Sequence, residues 1–229
     1  MEAPDLFGSA VFHIGPLVIT RTVLTTWGIM LALSLIAWIS TRRLSLHPGP
    51  WQVVVEGGVS AIEDAIEAVL PGESRRLLPF LATLGIFIVT ANLSGLIPGL
   101  QAPTSDLSLT AALAVLVFFS VHWYGVRSQG LKNYLRHYLS PNPILVPFHL
   151  ISEVTRTVAL AVRLFGNMMS LQLAALLVLL VAGFLVPVPL LLLHIVEALV
   201  QAYLFGMLAL IYIAGGIQSQ QLKQKREKE

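Results

Sequence analysis

Arg163 lies in LAVRLFGNMMS, residues 160–170, with Leu160, Ala161 and Val162 before it and Leu164 and Phe165 after it. No acid falls within four residues, so no i,i+4 partner on a helix neutralises the charge. At the centre of a membrane-crossing helix an arginine costs about 2.5–3.5 kcal/mol on insertion scales. The polar residues around it are not scattered. His149, Glu153, Arg156, Leu160, Arg163, Asn167 and Ser170 are spaced alternately by four and three. That spacing holds them on one helical face. A second apolar run, LLLHIVEALVQAYLFG, places His194, Glu197 and Gln201 at i, i+3 and i+7.

Two polar stripes on neighbouring helices can line water-filled routes for an ion. Ionisable groups inside a membrane are functional by default, and each needs a partner. For Arg163 that partner is either Glu197 on the next helix or a carboxylate on another subunit. A fixed arginine between two routes would interrupt a continuous proton wire and attract an incoming carboxylate. At ~4 Å and an effective dielectric of about 20, the attraction is on the order of 4 kcal/mol. Lone polar residues have a plainer reading, an interhelical hydrogen bond worth about 0.6 kcal/mol on average. Ser170 and Thr90 fit that reading, and a His194–Glu197 contact would satisfy itself internally.

The elements that must position these residues are apolar helices. Of 229 residues, 56% are hydrophobic and 11% charged, with mean hydropathy +0.81. Soluble domains carry roughly 25% charge. The composition therefore predicts an all-α polytopic membrane protein forming a single membrane domain over 1–229. A net charge of +2 leaves no footprint for nucleic acid, and the absence of cysteine excludes disulfides and thiolate chemistry. The N-terminus lacks a basic region ahead of a short apolar core, which argues against a cleaved signal peptide.

About five crossings follow, including one long hairpin. Residues 22–41 carry no charge and match the ~20 residues needed to span the core. Residues 51–70 read as an amphipathic surface helix. There Glu56, Glu63, Asp64 and Glu67 interrupt a stripe of Val55, Val59, Ile62, Ile66 and Val69. Residues 78–98 and 107–126 form the next two spans. After the helix-breaking SPNPILVPF at 140–148 come two long apolar segments, 146–183 and 188–218, punctuated by Gly183, Pro187 and Pro189. Both exceed one bilayer crossing and are expected to tilt strongly. Residues 219–229 read as a polar cytoplasmic tail.

Five crossings gather eleven of the fourteen basic residues on one side: Arg42, Arg43, Arg75, Arg76, Arg127, Lys132, Arg136, Lys223, Lys225, Arg226 and Lys228. The opposite loops, near 99–106 and 184–190, carry none, and Arg21 is the exception near the outer end of the first span. The N-terminus is thus expected outside and the C-terminus in the cytoplasm. Catalytic signatures are missing: there is no GxxxxGK[ST] nucleotide loop, no HEXXH, and no third ligand at suitable spacing beside His194 and Glu197. A stand-alone secondary transporter with Arg163 as substrate anchor is the alternative. Such folds show an internal repeat and helices broken in matching positions, and neither occurs here. A purely structural membrane subunit would explain the amphipathic helix but not the two polar stripes.

At this point a family resemblance enters. RLFGN, with Arg163, Leu164, Phe165, Gly166 and Asn167, resembles the signature of subunit a of rotary F-type ATP synthases. HIVEALVQAYLF, NLSGLIPG at 92–99 and PTSDLSLT at 103–110 extend the likeness in the same order, over most of residues 50–217. The resemblance implies a pair of long tilted helices against a ring of c subunits. It implies that Arg163 faces the ring carboxylate and separates two offset half-channels. Asn167, His194, Glu197 and Gln201 would line the outer half-channel. His149, Glu153 and Arg156 are assigned to the inner route from their helix positions alone. The implied partners are the c-ring, peripheral-stalk b subunits, the F1 head by way of the complex, and membrane lipid. The implied location is the bacterial inner membrane, with no cofactor and no catalytic site in this subunit.

Two departures stand out. Many bacterial relatives carry Glu nine residues after the arginine, whereas Gln172 stands here and cannot carry a proton. Glu197 is the candidate to supply that acid from the neighbouring helix. The segment ISEVTRTVALAV also lacks a proline common in relatives, since Thr157 follows Arg156. This pattern and the short N-terminus resemble the divergent N-type branch, sometimes linked with sodium.

Overall fold

The computed structural model describes residues 10–14, 17–42, 49–97, 100, 102–130, 146–182 and 187–226. The loop with Lys132 and Arg136, most of the SPNPILVPF segment, Arg43, Gly183 and the last three residues lie outside the described residues. Six helices carry the described fold: α1 (Arg21–Thr41), α2 (Pro50–Val69), α3 (Ser74–Leu93), α4 (Leu107–Gln129), α5 (Val146–Ala182) and α6 (Pro187–Arg226). Five of them, all but α2, are long and apolar enough to cross a membrane. The all-α membrane class therefore holds. One feature was not anticipated. A short antiparallel hairpin, β1 (Ala10–Ile14) and β2 (Leu17–Thr20), precedes α1, with Ile14 opposite Leu17 and Ala10 opposite Thr20.

Apolar solvent leaves the backbone no partner outside the helix, so these segments satisfy their own polar groups. In α1 the hydroxyls of Thr25, Thr26, Ser34 and Thr41 each donate to the carbonyl four residues earlier. Only Ile29 of this helix is buried, so α1 is peripheral. Helix α2 is amphipathic and only partly covered. Ile66 and Leu70 enter the core, while Val53, Val54 and Val55 at its other end stay exposed. A tight turn then reverses the chain, with Gly72 at φ 84°, a conformation that a side chain resists.

Several boundaries differ from the hydropathy reading, two of them instructively. Helix α3 starts at Ser74, four residues before the expected span, because Arg75 and Arg76 lie within its first turn rather than in a loop. Charges at a helix end can reach the polar interface while their backbone stays helical. Helix α6 likewise runs on to Arg226, through the residues read as a polar tail. Lys, Gln and Arg are good helix formers, so loss of hydrophobicity does not end a helix.

The core joins α2 to α6. Leu77, Leu81, Leu84 and Ile88 of α3 meet Leu113, Ala114 and Val117 of α4, Leu160 and Leu164 of α5, and Phe205, Leu210, Ile213 and Ile217 of α6. Buried alanines at 198, 202, 209 and 214 let α6 approach its neighbours closely. Small residues serve this purpose inside membranes, where packing rather than water drives helix association. The connection between α3 and α4 contains two short 3-10 turns, Ser94–Leu96 and Pro103–Ser105. A Cβ on Gly95 would lie 2.9 Å from the Cβ of Ala102, so glycine is what permits the two turns to meet.

Candidate ion-translocation site

Helices α5 and α6 carry the two polar stripes side by side. Arg163 sits near the middle of the Pro147–Val181 span. Its side chain is exposed on the flank of α5, and it makes no ion pair or hydrogen bond with any described residue. Glu197 is half-buried on α6 and likewise has no polar partner among the described residues. Glu197 is therefore not the internal partner of Arg163, and it does not pair with His194.

One turn after Arg163 on α5, the Asn167 amide donates to Gln201 Oε1 at 2.8 Å, tying α5 to α6. Gln201 is only 2% exposed. Further out along α6, His194 is buried with Nε2 3.1 Å from the backbone oxygen of Asn92. A carbonyl only accepts, so it is Nε2 that carries the proton of this bond. Asn92 answers with its own amide, which donates to the Ala198 carbonyl at 3.4 Å. Its anchoring of His194 runs through a backbone atom, which no motif can reveal.

The connection between α3 and α4 and the adjoining end of α3 are polar in their interior. Asp106 caps α4 by accepting from the Ser108 amide at 2.9 Å and its hydroxyl at 2.7 Å. Its other oxygen, Thr104 Oγ1 and Asn92 Oδ1 are buried without a hydrogen-bond partner from the described residues. Buried polar atoms of this kind are ordinarily satisfied by water.

On the other side of Arg163 along α5, Glu153 meets His122 of α4, with Nε2 to Oε2 at 3.2 Å. The Arg156 guanidinium lies over the Tyr212 ring of α6, 5.3 Å from its centroid. His149 is exposed in the first turns of α5. Gln172 is half-buried further out on α5 and has no side-chain hydrogen bond among the described residues. Ser170 is exposed, and the Thr90 hydroxyl bonds back to the Ile86 carbonyl of its own helix at 2.8 Å, so neither makes the expected interhelical bond among the described residues. His122 escaped the sequence reading. It belongs to no polar stripe of its own helix, and its acid lies on another one.

The family described as "ATP synthase A chain" matches residues 23–214. The chain is 64% identical over 220 residues to "ATP synthase subunit a 2" of Pelobacter propionicus, covering 96% of each. It is 59% identical over 217 residues to "ATP synthase subunit a" of Legionella pneumophila strain Paris, covering 94% of each. A Bradyrhizobium "ATP synthase subunit a 2" is 48% identical over 219 residues, covering 96% of this chain and 98% of the relative. A match of this length and identity, on a bundle of five membrane-length helices, makes the chain a member of the ATP synthase A chain family, subunit a of the membrane Fo sector of an F-type ATP synthase.

Proposed function

We propose that this chain is the ion-translocating stator subunit of its rotary complex, with Arg163 separating two half-channels against a ring of c subunits. One observation carries the reading. Arg163 sits in mid-span, is exposed on the flank of α5, and has no polar partner among the described residues of its own chain. A charge so placed is too costly to be idle, and its natural counter-ion is a carboxylate from outside the subunit. The subunit is a membrane part of the synthase and is not itself catalytic.

The outer half-channel runs past Asp106, Asn92, His194 and Gln201 to Asn167, one turn from Arg163. The orphaned polar atoms at Asn92, Thr104 and Asp106 support a hydrated route there. Glu197 borders the same route and substitutes for the acid absent at Gln172. The inner half-channel passes Glu153, Arg156 and His149. An ion entering from outside neutralises a ring carboxylate, the ring turns, and the ion leaves through the inner route. Arg163 attracts each vacated carboxylate and blocks direct leakage. The membrane potential supplies ~2.3 kcal/mol per charge per 100 mV, which the c-ring passes to the F1 head while peripheral-stalk b subunits hold the stator.

The positive residues favour an N-terminus outside and a C-terminus in the cytoplasm of a bacterial inner membrane. At ~1.5 Å per residue, α5 and α6 are roughly 55 and 60 Å long, which supports strong tilting across a ~30 Å core. A cross-link tests the placement. The chain has no native cysteine. Ser170→Cys, exposed on the Arg163 stripe, should form a disulfide with a cysteine beside the ring carboxylate in the assembled complex. Cross-linking from Trp27→Cys on α1 but not from Ser170→Cys would remove the ring from this face.

A further inference from the structure

His122 on α4 and Glu153 on α5 form the closest acid–base pair between helices among the described residues. The imidazole is held from both sides. Its Nδ1 lies 2.9 Å from the Phe118 carbonyl oxygen, and the ring packs on the Phe118 ring at a centroid distance of 4.4 Å. A carbonyl oxygen has no proton to give, so Nδ1 must carry one and donate it. That fixes the state of the other nitrogen. In the neutral ring Nε2 presents a lone pair, and 3.2 Å away stands Glu153 Oε2, which in a carboxylate presents another. Two lone pairs at this distance repel. One added proton turns the contact into a hydrogen bond, written either as imidazolium with carboxylate or as imidazole with carboxylic acid.

The pair is neither sealed nor fully open. The His122 and Glu153 side chains are 29% and 23% exposed, while Oε2 itself is buried. Glu153 lies ten residues before Arg163 on the same helix, a rise of ~15 Å. Among the described residues, the charged and titratable groups near the pair in sequence are Tyr124 and Arg127 on α4 and His149 and Arg156 on α5. Arg156 is turned to the Tyr212 ring, and the Tyr124 hydroxyl donates to the Arg76 carbonyl at 3.5 Å.

We propose that His122 and Glu153 together hold one exchangeable proton on the inner half-channel and relay it between the cytoplasm and the ring carboxylate. The proposal rests on the half-channel reading above. In the ATP-driven direction the pair takes a proton from hydronium on the cytoplasmic side, leaving water, and gives it toward the ring carboxylate, which becomes neutral. In the synthesis direction each transfer reverses. His122 thus joins Glu153 as an ion-relay residue and indicates that the inner route handles protons.

The test uses the whole complex in inverted membrane vesicles, whose outer face is the cytoplasmic one. ATP-driven proton uptake by dye quenching and ²²Na⁺ uptake are followed while the medium pH is varied, for His122→Gln, Glu153→Gln and the double variant. Each single variant, with the complex assembled, should lower proton uptake by about a hundredfold or more, in the range of a lost acid–base group. It should also flatten the dependence on medium pH. The double variant should be no worse than the poorer single, because the two residues hold one proton between them. Wild-type rate and pH profile in either assembled single variant would overturn the proposal. So would multiplicative loss in the double, or sodium uptake with the pH profile unchanged. Should His122→Gln fail to assemble, Glu153→Gln, which keeps the side-chain shape, decides alone. Arg163→Ala is run in parallel. Its loss of uptake beside unaffected His122→Gln and Glu153→Gln would end the relay and leave the half-channels standing, whereas unimpaired Arg163→Ala would end both.

Discussion

The Asn167–Gln201 bond is where the geometry predicts most sharply. It joins the two stripe-bearing helices through one 2.8 Å contact, and its two ends differ in burial. Gln201 is 2% exposed, while Asn167 is only half-buried. Asn167→Leu leaves the Gln201 carboxamide oxygen buried and unpaired, at a cost of about 1–3 kcal/mol. Gln201→Leu should cost less, because the Asn167 amide is better placed to find another partner. The double variant removes both polar ends, so it should be less destabilised than the sum of the singles. The expected coupling is about 0.6–1.7 kcal/mol, the measured range for interhelical hydrogen bonds in a membrane protein. Unfolding of the purified chain by SDS in bicelles, followed by circular dichroism, reads all four corners of the cycle. Strict additivity would refute the claim that this bond holds α5 and α6 together, and greater damage from Gln201→Leu would refute the burial argument.

Other consequences are simpler. Gly95→Ala places a methyl group 2.9 Å from Ala102 Cβ; it should destabilise the chain by about 1–3 kcal/mol, and Ala102→Gly should restore most of that in the same unfolding assay. Tyr212→Leu removes the ring beneath Arg156 and should cost about 0.5–1 kcal/mol, whereas Tyr212→Phe should be nearly silent. For orientation, a membrane-impermeant maleimide should label Pro71→Cys in inverted vesicles and Leu100→Cys in right-side-out ones. The reverse pattern would invert the proposed topology.

How much of this was readable depended on whether the signal was local. The alternation of four and three from His149 to Ser170 sits on one helix, so the stripe and its central Arg163 could be found without a fold. The spans were legible for the same reason, since apolar length alone commits a segment to the membrane. Helix ends were less so, because Arg75, Arg76 and the Lys-rich end of α6 are hydrophilic yet helical. Pairings between helices were the hardest. His122 and Glu153 are brought together only by the packing of α4 on α5. His194 finds a backbone oxygen of Asn92, 102 positions away, which no side-chain pattern encodes. The open choice of partner for Arg163 could not be narrowed from residue types either. It took the absence of a contact between Arg163 and Glu197, among the described residues, to point the arginine outward.

That outward-facing charge is the centre of the account, and ATP-driven ion uptake into inverted vesicles tests it most directly. Arg163→Ala should leave the complex assembled and abolish coupled uptake, because the ring carboxylate loses its counter-charge and the two routes lose their separator. Undiminished coupled uptake in assembled Arg163→Ala complexes would contradict the account and leave both polar stripes in need of another explanation.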